Sequence, residues 1–172
     1  ATPGGGSAAA ASGAMAAGLA GMVAGMSRGK KAYLQYEAQL SQALGRLATL
    51  REELKAAIDA DAEAYQVVMK AYKAARETPE AAQDIFAALQ QATNVPLGVA
   101  ERAVEVGLIA ESLKPVTNPN MASDLTTAIA LARAAREGAA ANVEINLGSL
   151  KGETEEQKAF AEATRKRMAA LA

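Results

Sequence analysis

Apolar residues recur at helical spacing along almost the whole chain. Leu40, Leu44, Leu47, Leu50, Leu54, Ile58, Asp61, Tyr65, Val68 and Tyr72 follow one another at steps of three and four, a stripe of period close to 3.6. Phe86, Leu89, Thr93, Leu97, Ala100, Val104 and Leu108 trace a second stripe, and Phe160, Thr164, Met168 and Leu171 a last one. Between Ser7 and Ser27 the pattern changes. That run is almost uncharged, and Gly13, Ala17, Gly21 and Gly25 form a ridge of small residues against which another helix can pack closely. A helix apolar on every side belongs at the centre of a bundle. The run is about long enough to cross a bilayer. Its larger apolar groups are only Met15, Leu19, Met22, Val23 and Met26, so the expectation is a buried helix of a soluble bundle.

Breakers and caps divide the rest. Thr78-Pro79 reads as a helix start, with Thr as N-cap and Pro in the first turn. Pro96 lies inside the second stripe and predicts a kink or break near Thr93, because proline removes a backbone bond and crowds the preceding turn. Pro115 ends that segment. Asn118-Pro119-Asn120 repeats the capping logic, and the helix after it runs towards Leu147. Thr154-Glu155-Glu156-Gln157 is a capping box. The fold class that follows is all-α: about five main helices around a central Gly/Ala-rich one, forming one domain over residues 1–172.

Composition supports this and narrows the chemistry. Two Phe, four Tyr and no Trp among 172 residues leave the core to Leu, Ile, Val, Met and close backbone approach. A formal net charge of −1 gives no support for nucleic-acid binding. The chain has no Cys and no His. That excludes disulfides, thiolate nucleophiles, Ser-His triads and His metal sites, and leaves acid–base work to Asp, Glu, Lys, Tyr, Ser or backbone groups. No initiator Met is present, which leaves room for a start upstream, and no basic region marks the first 27 residues as a signal peptide.

Four places carry candidate chemistry. Thr2-Pro3-Gly4-Gly5-Gly6-Ser7 feeds a helix N-terminus, whose free N–H groups and dipole suit an anion. It is not a P-loop, since no Gly-Lys-Ser/Thr follows at the required spacing, and a loose end before an ordinary helix reads equally well. Arg28-Gly29-Lys30-Lys31-Ala32-Tyr33 either complements a helix C-terminus or docks an anionic tail. Asp61 stands where the stripe calls for Leu. It is either at the stripe's edge, with Ala62 filling the core, or paired and functional. Asp124 sits in the early turns of the fourth helix and shares a face with Asn142 eighteen residues on, roughly 27 Å along the axis. Asn142 and Asn146 are one turn apart, and hydrogen bonding inside the bundle would account for them as well as ligand binding would.

Taken together and in order, several motifs resemble the formiminotetrahydrofolate cyclodeaminase and methenyltetrahydrofolate cyclohydrolase family. They are Thr2-Pro3-Gly4-Gly5-Gly6-Ser7, Arg28-Gly29-Lys30-Lys31-Ala32-Tyr33, Asp61-Ala62-Glu63-Ala64-Tyr65, Val95-Pro96-Leu97, Asn118-Pro119-Asn120-Met121-Ala122-Ser123-Asp124 and Asn142-Val143-Glu144-Ile145-Asn146-Leu147. After Tyr72 the family usually turns with Leu-Pro-Lys, where this chain has Lys73-Ala74-Ala75-Arg76. The resemblance implies a cytoplasmic, all-helical homodimer that takes a tetrahydrofolate derivative as substrate near the subunit interface. It implies no metal, no separate cofactor, no nucleic acid and no membrane partner. Asp61 and Asp124 would be the charge-stabilising or proton-handling pair, with Lys31 as a third catalytic candidate. Lys30 and Lys31 would meet the carboxylate end of the folate. Thr2, Pro3, Gly4, Gly5, Gly6 and Ser7 would cradle the ligand, and Asn118, Asn120, Asn142 and Asn146 would orient it. The activity implied is hydrolysis of 5,10-methenyltetrahydrofolate to the 10-formyl form, or cyclodeamination of formimino-folate. A folate-binding bundle without turnover is the alternative of another class.

Overall fold

A computed structural model describes residues 4–78, 83–152 and 154–171. Every regular element among them is helical. The order is α1 Gly5–Ser27, a 3-10 turn Lys31–Tyr36, α2 Glu37–Glu77, α3 Gln83–Leu113, 3-10 turns Lys114–Val116 and Pro119–Met121, α4 Ala122–Gly148 and α5 Glu155–Ala169.

The Gly/Ala-rich α1 packs against α2, α3 and α4. Ala10, Ala16, Ala20, Val23 and Ala24 are inaccessible to solvent. Its small residues allow the close approach. A Cβ on Gly13 would meet both Leu54 methyls at 3.2 Å, and one on Gly138 of α4 would meet the Ala9 Cβ at 3.3 Å. The ridge faces Leu54, Leu47 and Leu44 of α2, within the chain. The helix is not covered all round, as its composition suggested. Met15, Met22 and Met26 line an exposed strip, 57%, 41% and 58% accessible. By length and composition α1 could cross a bilayer, but half of its most apolar window is buried in this bundle.

On α2 the stripe is buried from Leu40 to Leu54, apart from a half-covered Leu44. Further on, Ala64, Val68 and Ala71 carry the core, while Asp61 and Ala62 are both half-buried. The helix continues to Glu77, so no turn follows Tyr72. Thr78 closes α2 instead of opening α3, its N–H donating to the Ala74 carbonyl at 2.8 Å. Pro79 lies outside the described residues. On α3 the expected break is absent, and the helix runs through Pro96 from Gln83 to Leu113. Beyond the proline the buried face shifts from the stripe read in the sequence. Leu108 is 65% exposed, and Ala103, Val106, Ala110 and Leu113 carry the core. Asn118 caps the short turn before α4, its Oδ1 accepting from the Asn120 N–H at 3.1 Å. Thr154 caps α5 through the Gln157 N–H.

Candidate active site

The N-terminus of α1 has a glycine, Gly4, at its cap position and so no side chain to satisfy its free N–H groups. Asp61, on the middle of α2, supplies what is missing. Its Oδ2 accepts from the Ser7 N–H at 2.8 Å and from the Ser7 hydroxyl at 2.8 Å. The same hydroxyl reaches the Ile58 carbonyl at 3.1 Å, so its one proton is shared between two acceptors. This explains a carboxylate on an apolar stripe: it caps another helix and complements the positive end of that helix's dipole. Gly6 makes the approach possible, since a Cβ there would lie 2.1 Å from Asp61 Oδ1. The other carboxylate oxygen, Oδ1, accepts no hydrogen bond among the described residues. No buried side-chain oxygen there lacks a partner, so Oδ1 is open to solvent.

Asp61 lines a cleft of about 420 Å³ between the start of α1, the second half of α2, α3 and the end of α4. Gly4, Gly5, Asp61, Asn142 and Asn146 line it, with Tyr65, Met69, Tyr72 and Ile145 as its apolar wall. A larger, shallower trough of about 690 Å³ beside α5 is edged by long charged side chains and holds none of the candidate residues.

Both asparagines spend an amide N–H on a backbone carbonyl. Asn142 Nδ2 donates to Gly138 O at 2.8 Å, and Asn146 Nδ2 donates to Ala92 O at 2.7 Å. A carbonyl cannot donate, so the orientation of each amide is fixed and each Oδ1 remains as an acceptor. One carboxylate residue and two amide residues, each with an oxygen left to accept, therefore line a single aromatic-walled cleft. Such a cleft suits a flat ligand that carries N–H donors or a delocalised positive charge. Tyr65 and Tyr72 lie four and eleven residues after Asp61 on one stripe. Reading that stripe as core hid them as cleft residues, although Tyr65 is 49% exposed.

The other candidates lie at the far end of α1. Gly29, at φ 72°, turns the chain out of the helix. Arg28 is paired with Glu37 at 3.3 Å. Lys30 and Lys31 are exposed and make no ion pair among the described residues. Asn118 is tied to this end by its N–H, which donates to Ser27 Oγ at 3.3 Å, with Asn120 two residues on and Asp124 half-buried in the first turn of α4. Ser7 and Ser27 are separated by twenty residues, roughly 30 Å of helix. Within one chain, then, Gly4, Gly5, Gly6, Ser7, Asp61, Asn142 and Asn146 come together. Lys30, Lys31, Asn118, Asn120 and Asp124 form a second group that does not reach them. Thr2 and Pro3 lie outside the described residues.

The formiminotransferase-cyclodeaminase family matches residues 1–169. The chain belongs to this family. It is 40% identical to a methenyltetrahydrofolate cyclohydrolase of Methylorubrum extorquens, over 99% of this chain and 81% of that protein. A formimidoyltransferase-cyclodeaminase of Sus scrofa is 36% identical over 86% of this chain, which spans only 28% of the pig protein. The crystal structure of a formiminotetrahydrofolate cyclodeaminase from Thermotoga maritima superposes with a TM-score of 0.81 at 33% identity, covering 99% of this chain and 87% of that one. These relatives are enzymes of a folate one-carbon family, and the names of the Methylorubrum and Thermotoga proteins both carry tetrahydrofolate.

Proposed function

We propose that this protein hydrolyses 5,10-methenyltetrahydrofolate to 10-formyltetrahydrofolate in the Asp61 cleft. The observation that carries the reading is Asp61, held through Oδ2 with Oδ1 unbonded, in one cleft with Asn142 and Asn146. The substrate carries a delocalised cation over two nitrogens and the carbon between them. A carboxylate beside that carbon stabilises the cation and orients a water towards it. Water adds to the carbon and gives a proton to Asp61 Oδ1. The carbon–N5 bond then breaks, N5 takes that proton, and the hydroxyl proton of the adduct leaves to solvent as the formyl C=O forms. One proton is released overall, and no covalent enzyme intermediate is required.

The second group of residues enters this reading through a second copy. Roughly 30 Å is beyond the reach of one small ligand. A homodimer that sets the C-terminal end of one α1 against the cleft of its partner would bring Lys30 and Lys31 to the substrate's carboxylate tail, and Asp124 to its reactive part. The exposed Met15, Met22 and Met26 strip gives α1 an apolar face for that contact. Of the ridge of small residues, Gly13 and Ala17 are already buried within the chain, while Gly21 and Gly25 remain partly open. A cytoplasmic setting goes with the same reading.

Cyclodeamination is the second reading, favoured by the likeness to the Thermotoga enzyme over nearly the whole chain. Loss of the methenyl chromophore on adding protein, set against ammonia release from formimino-folate, separates the two. Faster chromophore loss is the expected result, and ammonia release without it would reverse the order. A dimer that binds folate and gives neither signal would be a binding module.

A further inference from the structure

Pro96 sits inside α3 and has no N–H to give to the carbonyl four residues back, that of Ala92. That carbonyl is not left unpaired. It accepts from Asn146 Nδ2, on α4, at 2.7 Å. Ala92 and Asn146 both line the Asp61 cleft. An uninterrupted helix would have set a backbone N–H in competition with the Asn146 amide for this oxygen. We infer that Pro96 is a positioning residue for substrate binding: it frees the Ala92 carbonyl so that this oxygen locks the Asn146 amide with its Oδ1 available as an acceptor in the cleft. The inference rests on the folate reading only for the identity of the ligand. It treats the proline as a device for fixing an acceptor, at a cost to the helix, and gives Val95-Pro96-Leu97 a role at the site.

The variant that tests this is Pro96→Ala. It restores an N–H to the helix ladder, so Ala92 O gains an internal donor that competes with the Asn146 amide and weakens its hold. The expected variant has a raised unfolding midpoint, a KM for methenyl-folate about tenfold higher, and kcat at saturation within about twofold, as for the loss of one oriented hydrogen bond to the ligand. In the Asn146→Ala background the same change should leave KM unaltered, because the proline acts through that amide. The Asn146 side-chain N–H₂ signals in a ¹⁵N–¹H spectrum give a readout that needs no activity. They should show a hydrogen-bonded, exchange-protected proton in the wild type and lose that protection in Pro96→Ala. A Pro96→Ala protein with the wild-type KM, or with Asn146 still protected, overturns the inference. If the wild type neither turns over methenyl-folate nor binds 5-formyltetrahydrofolate, the functional reading fails instead, and the Asn146 signals alone still decide whether the lock exists.

Discussion

Gly6→Ala probes the joint on which the cleft is built. The new Cβ would lie 2.1 Å from Asp61 Oδ1 and 2.6 Å from its Cγ, so the carboxylate must swing away. The Ser7 hydroxyl can fall back on the Ile58 carbonyl at 3.1 Å, but the Ser7 N–H loses its acceptor. A hydrogen bond to a charged group contributes about 1.5–3 kcal/mol, and a carboxylate at a helix N-terminus about 0.3–1 kcal/mol. Replacing a helical Gly by Ala returns about 0.8–1.0 kcal/mol. The net expectation is a loss of about 1–3 kcal/mol, a fall in the urea midpoint of roughly 1 M at the slopes usual for small proteins. With Asp61 already replaced by Ala the clash is gone and only the propensity gain remains, so the same substitution should stabilise. Urea unfolding of the four proteins, followed by circular dichroism at one fixed protein concentration, closes the cycle. If Gly6→Ala cost the same in both backgrounds to within about 0.5 kcal/mol, the Asp61–Gly6 contact would not be what fixes the carboxylate.

Three further outcomes follow from the packing, the ion pairs and the exposed face of α1. Leu50 and Leu54 are fully buried in the main core, and truncating either to Ala should cost about 2–5 kcal/mol by chemical denaturation. Arg46 donates two hydrogen bonds to Glu105 and holds its carboxyl below the usual range. A depressed folded-state pKa gives stability that is complete above the unfolded value, about 4.3, and is lost as the pH falls through the lower folded value. An acid titration of stability in Glu105→Gln should therefore show a shallower fall in that range than the wild type, by a small amount because the pair is part-exposed. Light scattering at micromolar concentration should report a dimer, and Met22→Glu, in the middle of the exposed strip, should shift it towards monomer. A wild-type monomer would remove the two-copy arrangement.

The helices and most of their ends were legible in the sequence, because a 3.6-residue pattern and caps such as Asn118 and Thr154 are local signals. The central place of α1 was legible from its small residues, but its open Met strip was not, since composition does not reveal which side neighbours leave uncovered. Asp61 was visible as a carboxylate out of place. Its acceptor role towards Ser7 was not, because that bond joins residues 54 apart in the chain. Pro96 pointed to a kink or break near Thr93; the helix is not broken there, and the carbonyl the proline frees has its partner on α4. The separation of Asp124 from Asn142 followed from helix geometry alone. The larger division of the candidates between two ends of α1 required the packing of α2 and α4 to be known.

The central claim is that Asp61 serves the reacting carbon as well as capping α1. Asp61→Asn keeps an oxygen to accept from Ser7 and removes the charge, so folding and reactivity can be read apart. The decisive measurement is the rate of methenyl chromophore loss with folded Asp61→Asn, compared with the wild type at saturating substrate. A fall of about 10²-fold or more with an unchanged circular dichroism spectrum is the predicted result. A folded Asp61→Asn protein with wild-type turnover would contradict the account.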